Sequence, residues 1–135
     1  MVHASSLTLQ DAVAAVSQLP GLQAVLVNCC SPQAVAAALP RLQRCAPVGV
    51  RFGGYANGFA TTTSQWLASN GVAPEAGLLD VPPAEEYDSG GIIFPDSYAR
   101  HAAHWRALGA SIIGGCCGVG PQHIAAAKGA CEGHD

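Results

Sequence analysis

The chain has 135 residues, a net charge of −3 and only 11% charged residues, so it lacks the basic surface that nucleic-acid-binding proteins use. Half of its residues are hydrophobic, yet no apolar run approaches the ~18 residues of a membrane-spanning helix. We therefore expect one globular domain over residues 1–135, with neither nucleic acid nor a membrane as a partner.

The first predicted elements are a helix and a strand. Thr8 and Asp11 have the spacing of a capping box, so a helix is expected to begin after Thr8 and to end before Pro20. Residues 24–28 (AVLVN) form the short apolar run that is typical of a strand buried on both faces.

A second helix and a second strand follow. Ser31 and Pro32 are residue types that cap a helix and occupy its first turn, which predicts a helix over 33–44. Pro40 is expected to kink or end this helix, because proline has no backbone N–H to donate. Residues 48–52 (VGVRF) predict the second strand, and the glycine-rich stretch GGYANGF after it predicts a loop.

A long loop and a helix are predicted next. Residues 62–70 are expected to hold a short helical segment. Residues 70–95 are rich in proline and glycine and predict a long loop, a kind of segment that is often functional. Residues 96–109 (DSYARHAAHWRALG) predict the clearest helix of the chain, with Gly109 as its C-terminal stop.

The last part of the chain completes the pattern. Tyr98, Ala102 and Trp105 fall on one face of the predicted helix, which we expect to be buried. Residues 111–115 (SIIGG) predict a third strand, and residues 121–130 (PQHIAAAKGA) predict a last helix that begins at a proline.

The alternation of strands and helices predicts an α/β fold with parallel strands. In such folds, sites form at the carboxyl ends of the strands. Residues whose side chains can bind ligands or react follow all three predicted strands: Asn28 and Cys29, then Tyr55 and Asn57, then Cys116 and Cys117.

The cysteines at these strand ends suggest a metal site. Cys116 and Cys117 are bracketed by glycines, which let the chain leave extended geometry so that adjacent side chains can aim at one point. Together with Cys29 they could supply three thiolates to Zn²⁺ and leave the fourth position open for a thiol substrate.

Other interpretations of the cysteines stay open at this stage. Thiols that only pack, a strained vicinal disulfide, and a thiol redox pair at the adjacent cysteines are compatible with the pattern. The stretch GGCCGVG superficially resembles a phosphate-binding loop, but it lacks the Lys-Ser/Thr ending. Cys30, Cys45 and Cys131 are interpreted as structural, although Cys30 could compete with Cys29 for a metal.

The remaining polar candidates carry weaker signals. Tyr55 and Asn57 either line a substrate pocket or form an Asn-Gly turn. His101, His104 and His123 are interpreted as solvated surface residues. The N-terminal residues lack the charged and apolar regions of a signal peptide, so we expect a cytoplasmic protein with reduced thiols.

Three motifs in this order resemble the zinc-dependent homocysteine S-methyltransferases: VNC at 27–29, YAN at 55–57 and IIGGCCG at 112–118, followed by PQHI. The resemblance spans nearly the whole chain. It implies that the zinc ligands are Cys29, Cys116 and Cys117 and that homocysteine completes the tetrahedron. It also implies that the substrate pocket includes Asn28, Tyr55 and Asn57.

The family fold implied by the resemblance is a (β/α)₈ TIM barrel. This chain supplies about three parallel strand–helix units, which match the C-terminal end of the barrel, so residues 1–135 would be a C-terminal fragment of the homocysteine-binding domain. The family's N-terminal Asp-Gly-Gly segment and its mid-barrel acidic residue are absent from the sequence.

The function implied is transfer of a methyl group from a donor to the zinc-bound thiolate of homocysteine, which gives methionine. The alternative is a non-catalytic zinc-binding remnant, or the partner half of a split barrel. Such a half would self-associate or pair with a missing N-terminal half.

Overall fold

Three strands and four helices alternate along residues 8–60 and 84–132, which are the residues that the computed structural model describes. The strands are β1 (Ala24–Asn28), β2 (Arg51–Ala56) and β3 (Ile112–Gly115). The helices are α1 (Leu9–Val16), α2 (Pro32–Cys45), α3 (Pro95–Ala107) and α4 (Pro121–Glu132), and a 3₁₀ turn lies at Ala84–Glu86. None of these helices is long and apolar enough to cross a membrane.

The strands form one parallel sheet in the order β1-β2-β3. Its core lies between one face of the sheet and the helices, where Val35, Leu39 and Trp105 are fully buried. Parallel strands alternating with helices confirm the predicted α/β class and match part of a TIM-barrel-like fold.

The two faces of the sheet differ in what they contact. Val25, Val27 and Ile113 pack against the helix-covered core. Side chains alternate along a strand, so Leu26 and Ile112 point to the opposite face, and neither belongs to the core of the described residues. The second face therefore has no described helix packed on it.

The predicted first helix is confirmed, but it ends earlier than expected. Thr8 caps α1 through a complete capping box with Asp11. The helix stops at Val16 rather than running to Pro20, and the next residue, Ser17, donates its hydroxyl hydrogen to the carbonyl of Val13. A serine that bonds back to the preceding turn competes with continuation of the helix.

Pro40 was predicted to kink or end the second helix, and the prediction that the helix ends there is wrong. The helix α2 begins as expected, with the Ser31 hydroxyl accepting from the Ala34 N–H, and it continues through Pro40 to Cys45. Leu39 and Leu42 are buried on its inner face. Their packing holds a helix that local propensity alone would interrupt.

The predicted bounds of the second strand are wrong. The strand β2 begins at Arg51 rather than at Val48, because a turn with Gly49 at φ 85° precedes it. It then runs through Gly53 and Gly54, which the sequence assigned to a loop. These glycines reflect crowding: a Cβ on Gly54 would lie 2.7 Å from a Val35 methyl.

The second half of the chain follows the prediction more closely. Tyr98, Ala102 and Trp105 are each fully buried, which confirms the predicted inner face of α3. The last helix reaches Glu132, two residues beyond the predicted range. Within the predicted loop 70–95, the described residues form the 3₁₀ turn and two isolated bridges, while the predicted helical segment 62–70 lies outside the described residues.

Two of the three histidines that were expected to be solvated are not, which corrects the expectation for them. His101 lies 2.9 Å from the Glu86 carboxylate and stacks on Trp105, with ring centroids 6.2 Å apart. His123 is only 6% exposed, and both of its ring nitrogens are hydrogen-bonded. His104 is exposed, as predicted.

Candidate metal centre

The predicted site residues all lie where the three strands end. Asn28 pairs in register with Tyr55, and Tyr55 pairs with Gly114. Beyond the regular ladder, the Cys116 N–H donates to the Ala56 carbonyl at 2.9 Å. The carboxyl ends of all three strands therefore meet at the same edge of the sheet.

The loops that leave these strands are hydrogen-bonded to one another. The Asn57 N–H donates to the Cys30 carbonyl at 2.8 Å, which joins the loop after β2 to the loop after β1. The Gly58 N–H donates to the Cys117 carbonyl at 2.7 Å, which joins it to the loop after β3. The central loop thus fixes the two cysteine-bearing loops relative to each other.

The sulfurs of Cys29, Cys116 and Cys117 converge over this edge, and we call them the sulfur cluster. The Cys29 and Cys116 Sγ atoms are 3.4 Å apart, the Cys116 and Cys117 Sγ atoms are 3.9 Å apart, and all three lie within 4.8 Å of one another. Zinc–sulfur bonds of about 2.3 Å at tetrahedral angles require sulfurs roughly 3.8 Å apart. The arrangement therefore fits one tetrahedral ion with three protein ligands.

The backbone of Cys29 is left-handed, which explains how its sulfur reaches the cluster. β1 and β3 are separated by β2, so their ends lie about 10 Å apart. Cys29 has φ 56°, and it alone among the described non-glycine residues has a positive φ. Such a conformation costs of order 1–3 kcal/mol, and strained residues of this kind cluster at functional sites.

The glycines around the adjacent cysteines serve close packing as well as freedom of the backbone. A Cβ on Gly115 would lie 2.1 Å from a Val119 methyl, so this position excludes larger residues. Gly118 has φ 79°, and a Cβ on Gly58 would lie 2.8 Å from the Gly118 carbonyl oxygen. Glycine at these positions lets the two loops touch backbone to backbone.

The structure distinguishes two of the alternatives left open for the cysteines, namely a vicinal disulfide and Cys30 as a metal ligand. A vicinal disulfide needs sulfurs about 2.05 Å apart, and those of Cys116 and Cys117 are 3.9 Å apart. Cys30 lies outside the sulfur cluster and packs against the hydrophobic core. Burial raises the pKa of the Cys30 thiol, and the neighbouring Cys29 and Cys116 raise it further.

The predicted pocket residues lie beside the cluster with different exposures. Asn28 is exposed and Tyr55 is half-buried. Their register and the alternation of side chains place both on the sheet face opposite α2. Asn57 is only 2% exposed, so it lies under the surface of the site.

No role at this site was predicted for two residues of this region, Tyr98 and His123. Tyr98 donates its hydroxyl hydrogen to the Gly114 carbonyl at 2.6 Å, and His123 accepts from the Gly120 N–H at 3.0 Å. A signal for His123 was present in the sequence, because it follows the cysteine motif at the start of a helix.

Comparison with known proteins agrees with this geometry. A family model described as homocysteine S-methyltransferase matches residues 3–131, which is almost the whole chain. No solved structure matches the chain significantly. With the family motif and the converging sulfurs in agreement, the chain belongs to the homocysteine S-methyltransferase family.

Proposed function

We propose that this chain carries the thiol-activating site of a homocysteine S-methyltransferase, with Cys29, Cys116 and Cys117 as ligands of one Zn²⁺. The observation that carries the proposal is the convergence of these sulfurs, all within 4.8 Å of one another. Membership of the family supports it, because the family acts on homocysteine and is generally zinc-dependent.

The donor set suits a thiol substrate better than water. Zn²⁺ held by Cys29, Cys116 and Cys117 would lower the pKa of a bound homocysteine thiol, so that the thiol would lose its proton to water and stay nucleophilic towards a methyl donor. The chain itself supplies the positions of the three sulfurs, through the left-handed backbone at Cys29 and the Cys116 N–H bond to Ala56.

The proposal assigns the homocysteine pocket to Asn28, Tyr55 and Asn57. Asn28 and Tyr55 lie side by side at the carboxyl edge, and both are accessible to a small molecule. Asn57 is buried and donates its backbone N–H to Cys30, so its part is to support the floor of the pocket.

Metal analysis of the purified chain tests the proposed ligands. We expect about one tightly bound zinc per chain after dialysis, and a clear loss of zinc in Cys29→Ser, because two thiolates hold zinc far less tightly than three. Cys45→Ser is the matched control, since Cys45 is half-buried in α2 and lies outside the sulfur cluster. Equal zinc contents in wild type and Cys29→Ser would contradict the assignment.

A second candidate is a zinc-binding chain that does not turn over alone. The observation that favours it is the three-stranded sheet of the described residues, compared with the eight strands of a closed barrel. Methionine formation from homocysteine and a methyl donor separates the two candidates. We expect zinc binding with little turnover by this chain alone, and robust turnover would exclude the second candidate.

A further inference from the structure

Two buried side chains, Tyr98 and His123, lie beside the loop that carries Cys116 and Cys117. We propose that they are positioning residues, which fix residues 114–120 and thereby set the metal affinity of the sulfur cluster. The inference rests on the proposed function for the nature of the ligand, but it concerns residues that act through the backbone rather than by ligation.

Tyr98 fixes the beginning of this segment. Its side chain is fully buried, and its hydroxyl donates to the Gly114 carbonyl at 2.6 Å, two residues before Cys116. The same hydroxyl oxygen lies 3.5 Å from the Ala56 carbonyl oxygen, which accepts the Cys116 N–H. One side chain therefore joins the ends of β2 and β3 at the point from which Cys116 projects.

His123 fixes the other end of the segment. Its Nδ1 atom accepts the Gly120 N–H at 3.0 Å. Nδ1 therefore carries no hydrogen, and Nε2 donates to the Ile93 carbonyl at 2.6 Å. A neutral histidine with both nitrogens bonded leaves the loop little freedom to shift along the helix α4.

These bonds close a ring around the cysteine loop. Beyond His123, the Ile93 N–H donates to the Gly58 carbonyl at 2.7 Å, and the Gly58 N–H donates to the Cys117 carbonyl at 2.7 Å. The path thus leaves the loop at Cys117 and returns to it at Gly120 through His123. Loss of one member leaves the others without the partner that fixes their orientation.

The two positioning residues also contact each other. The rings of Tyr98 and His123 meet edge to face, with centroids 6.0 Å apart and an angle of 86° between their planes. A second ring, Trp105, also packs edge to face on Tyr98, with centroids 5.5 Å apart. This packing restricts both hydrogen-bonding side chains to one geometry.

The test measures metal affinity in Tyr98→Phe, His123→Gln and His123→Asn by competition with a chromophoric chelator for Zn²⁺. Residues that orient metal ligands typically contribute 10- to 100-fold in affinity, so we expect a loss of about tenfold or more in Tyr98→Phe and His123→Gln. His123→Asn should retain more affinity, because its Oδ1 atom takes the place of Nδ1 as acceptor for Gly120. The thiolate-to-metal absorption of the Co²⁺ form should change in the same order.

A stability-matched control separates positioning from general weakening. Leu42→Val removes buried volume near the far end of α2 and should leave affinity unchanged. Amide exchange of residues 114–120 in the metal-free chain should be faster in Tyr98→Phe and His123→Gln than in Leu42→Val. Unchanged zinc affinity in those two variants, or an equal loss in Leu42→Val, would overturn the inference.

The two proposals fail in different ways. A wild-type chain that binds no zinc would contradict the proposed function and the effect on metal affinity, while exchange at 114–120 that still responds to Tyr98→Phe would retain the positioning of the loop. Zinc binding that depends on Cys29 but not on Tyr98 or His123 would leave the proposed function intact and exclude the positioning role.

Discussion

At the scale of single residues, the site uses left-handed backbone in two different ways. At Cys29 the chain adopts φ 56° with a side chain attached, and the sulfur of that side chain lies in the sulfur cluster. At Gly118 the same region of backbone space carries no side chain, and the Phe59 ring would lie 3.3 Å from a Cβ there. Of these two positions, only Cys29 carries the strain of a left-handed residue with a side chain, and its sulfur is part of the sulfur cluster.

We expect Gly118→Ala to lower the free energy of unfolding by about 1–2 kcal/mol, the cost of a left-handed residue with a Cβ. Gly129→Ala is the matched control, because Gly129 lies within α4 and a Cβ there meets nothing within 4 Å. It should raise the free energy of unfolding by about 0.5–1 kcal/mol. Urea denaturation of both variants checks the pair, and shifts of the same sign would contradict this account.

At the scale of elements, α2 shows tertiary packing prevailing over local propensity. The helix passes through Pro40, which removes one backbone hydrogen bond, yet Leu39 and Leu42 beside it are almost fully buried. The stability lost at Pro40 is offset by the apolar area that the same turn buries.

Replacing Pro40 should therefore stabilise the chain. Pro40→Ala restores the missing N–H and should raise the free energy of unfolding, by at most about 3 kcal/mol, together with the helical signal in circular dichroism. Pro32→Ala should instead lower it, since Pro32 lies buried in the first turn, where proline is favoured. A loss of stability in Pro40→Ala would mean that the packing of the proline ring contributes more to stability than the restored hydrogen bond.

The elements that were predicted well are those whose signal is local. Ser31 and the capping box at Thr8 mark helix starts by side chains that bond within three residues. Gly53 and Gly54 were misassigned to a loop because the reason for glycine there is distant in sequence, namely crowding by Ile112 and Val35. Sequence pattern alone does not distinguish a glycine that allows a turn from a glycine that leaves room for a neighbouring residue.

At the scale of the whole molecule, the convergence of the three cysteines was predictable, whereas the residues that fix the cysteine loop were not. The three cysteines follow strands that could be located from apolar runs, so their convergence could be expected from the α/β pattern. Tyr98 and His123 act through bonds to Gly114, Ile93 and Gly120, and only the folded chain brings the partners of these bonds together.

The overall stability should fall in alkali because of buried tyrosines. Burial raises the pKa of Tyr87 to about 12, and burial also raises the pKa of Tyr98. Between pH 10 and about 12 the unfolded chain releases protons that the folded chain keeps, so stability is lost as pH rises through this window. Urea midpoints at pH 9 to 12 measure the slope.

Tyr87→Phe is the control for that prediction. Within residues 8–60 and 84–132 the Tyr87 hydroxyl has no hydrogen-bond partner, so its removal should cost little stability at neutral pH. The slope above pH 10 should become shallower in this variant. An unchanged slope would assign the alkaline loss to other groups.

The sheet face that bears Leu26 and Ile112 has a consequence for how the chain behaves in a crowded solution. Parallel sheets are ordinarily covered on both faces, and within residues 8–60 and 84–132 no helix covers this one, so its apolar side chains are open to contact with another molecule. The sulfur cluster and this face share the same three strands, so a molecule bound to the face would also restrict the motion of the strands that carry the proposed metal ligands. The geometry of the sulfur cluster and adhesion at this face are thus mechanically linked.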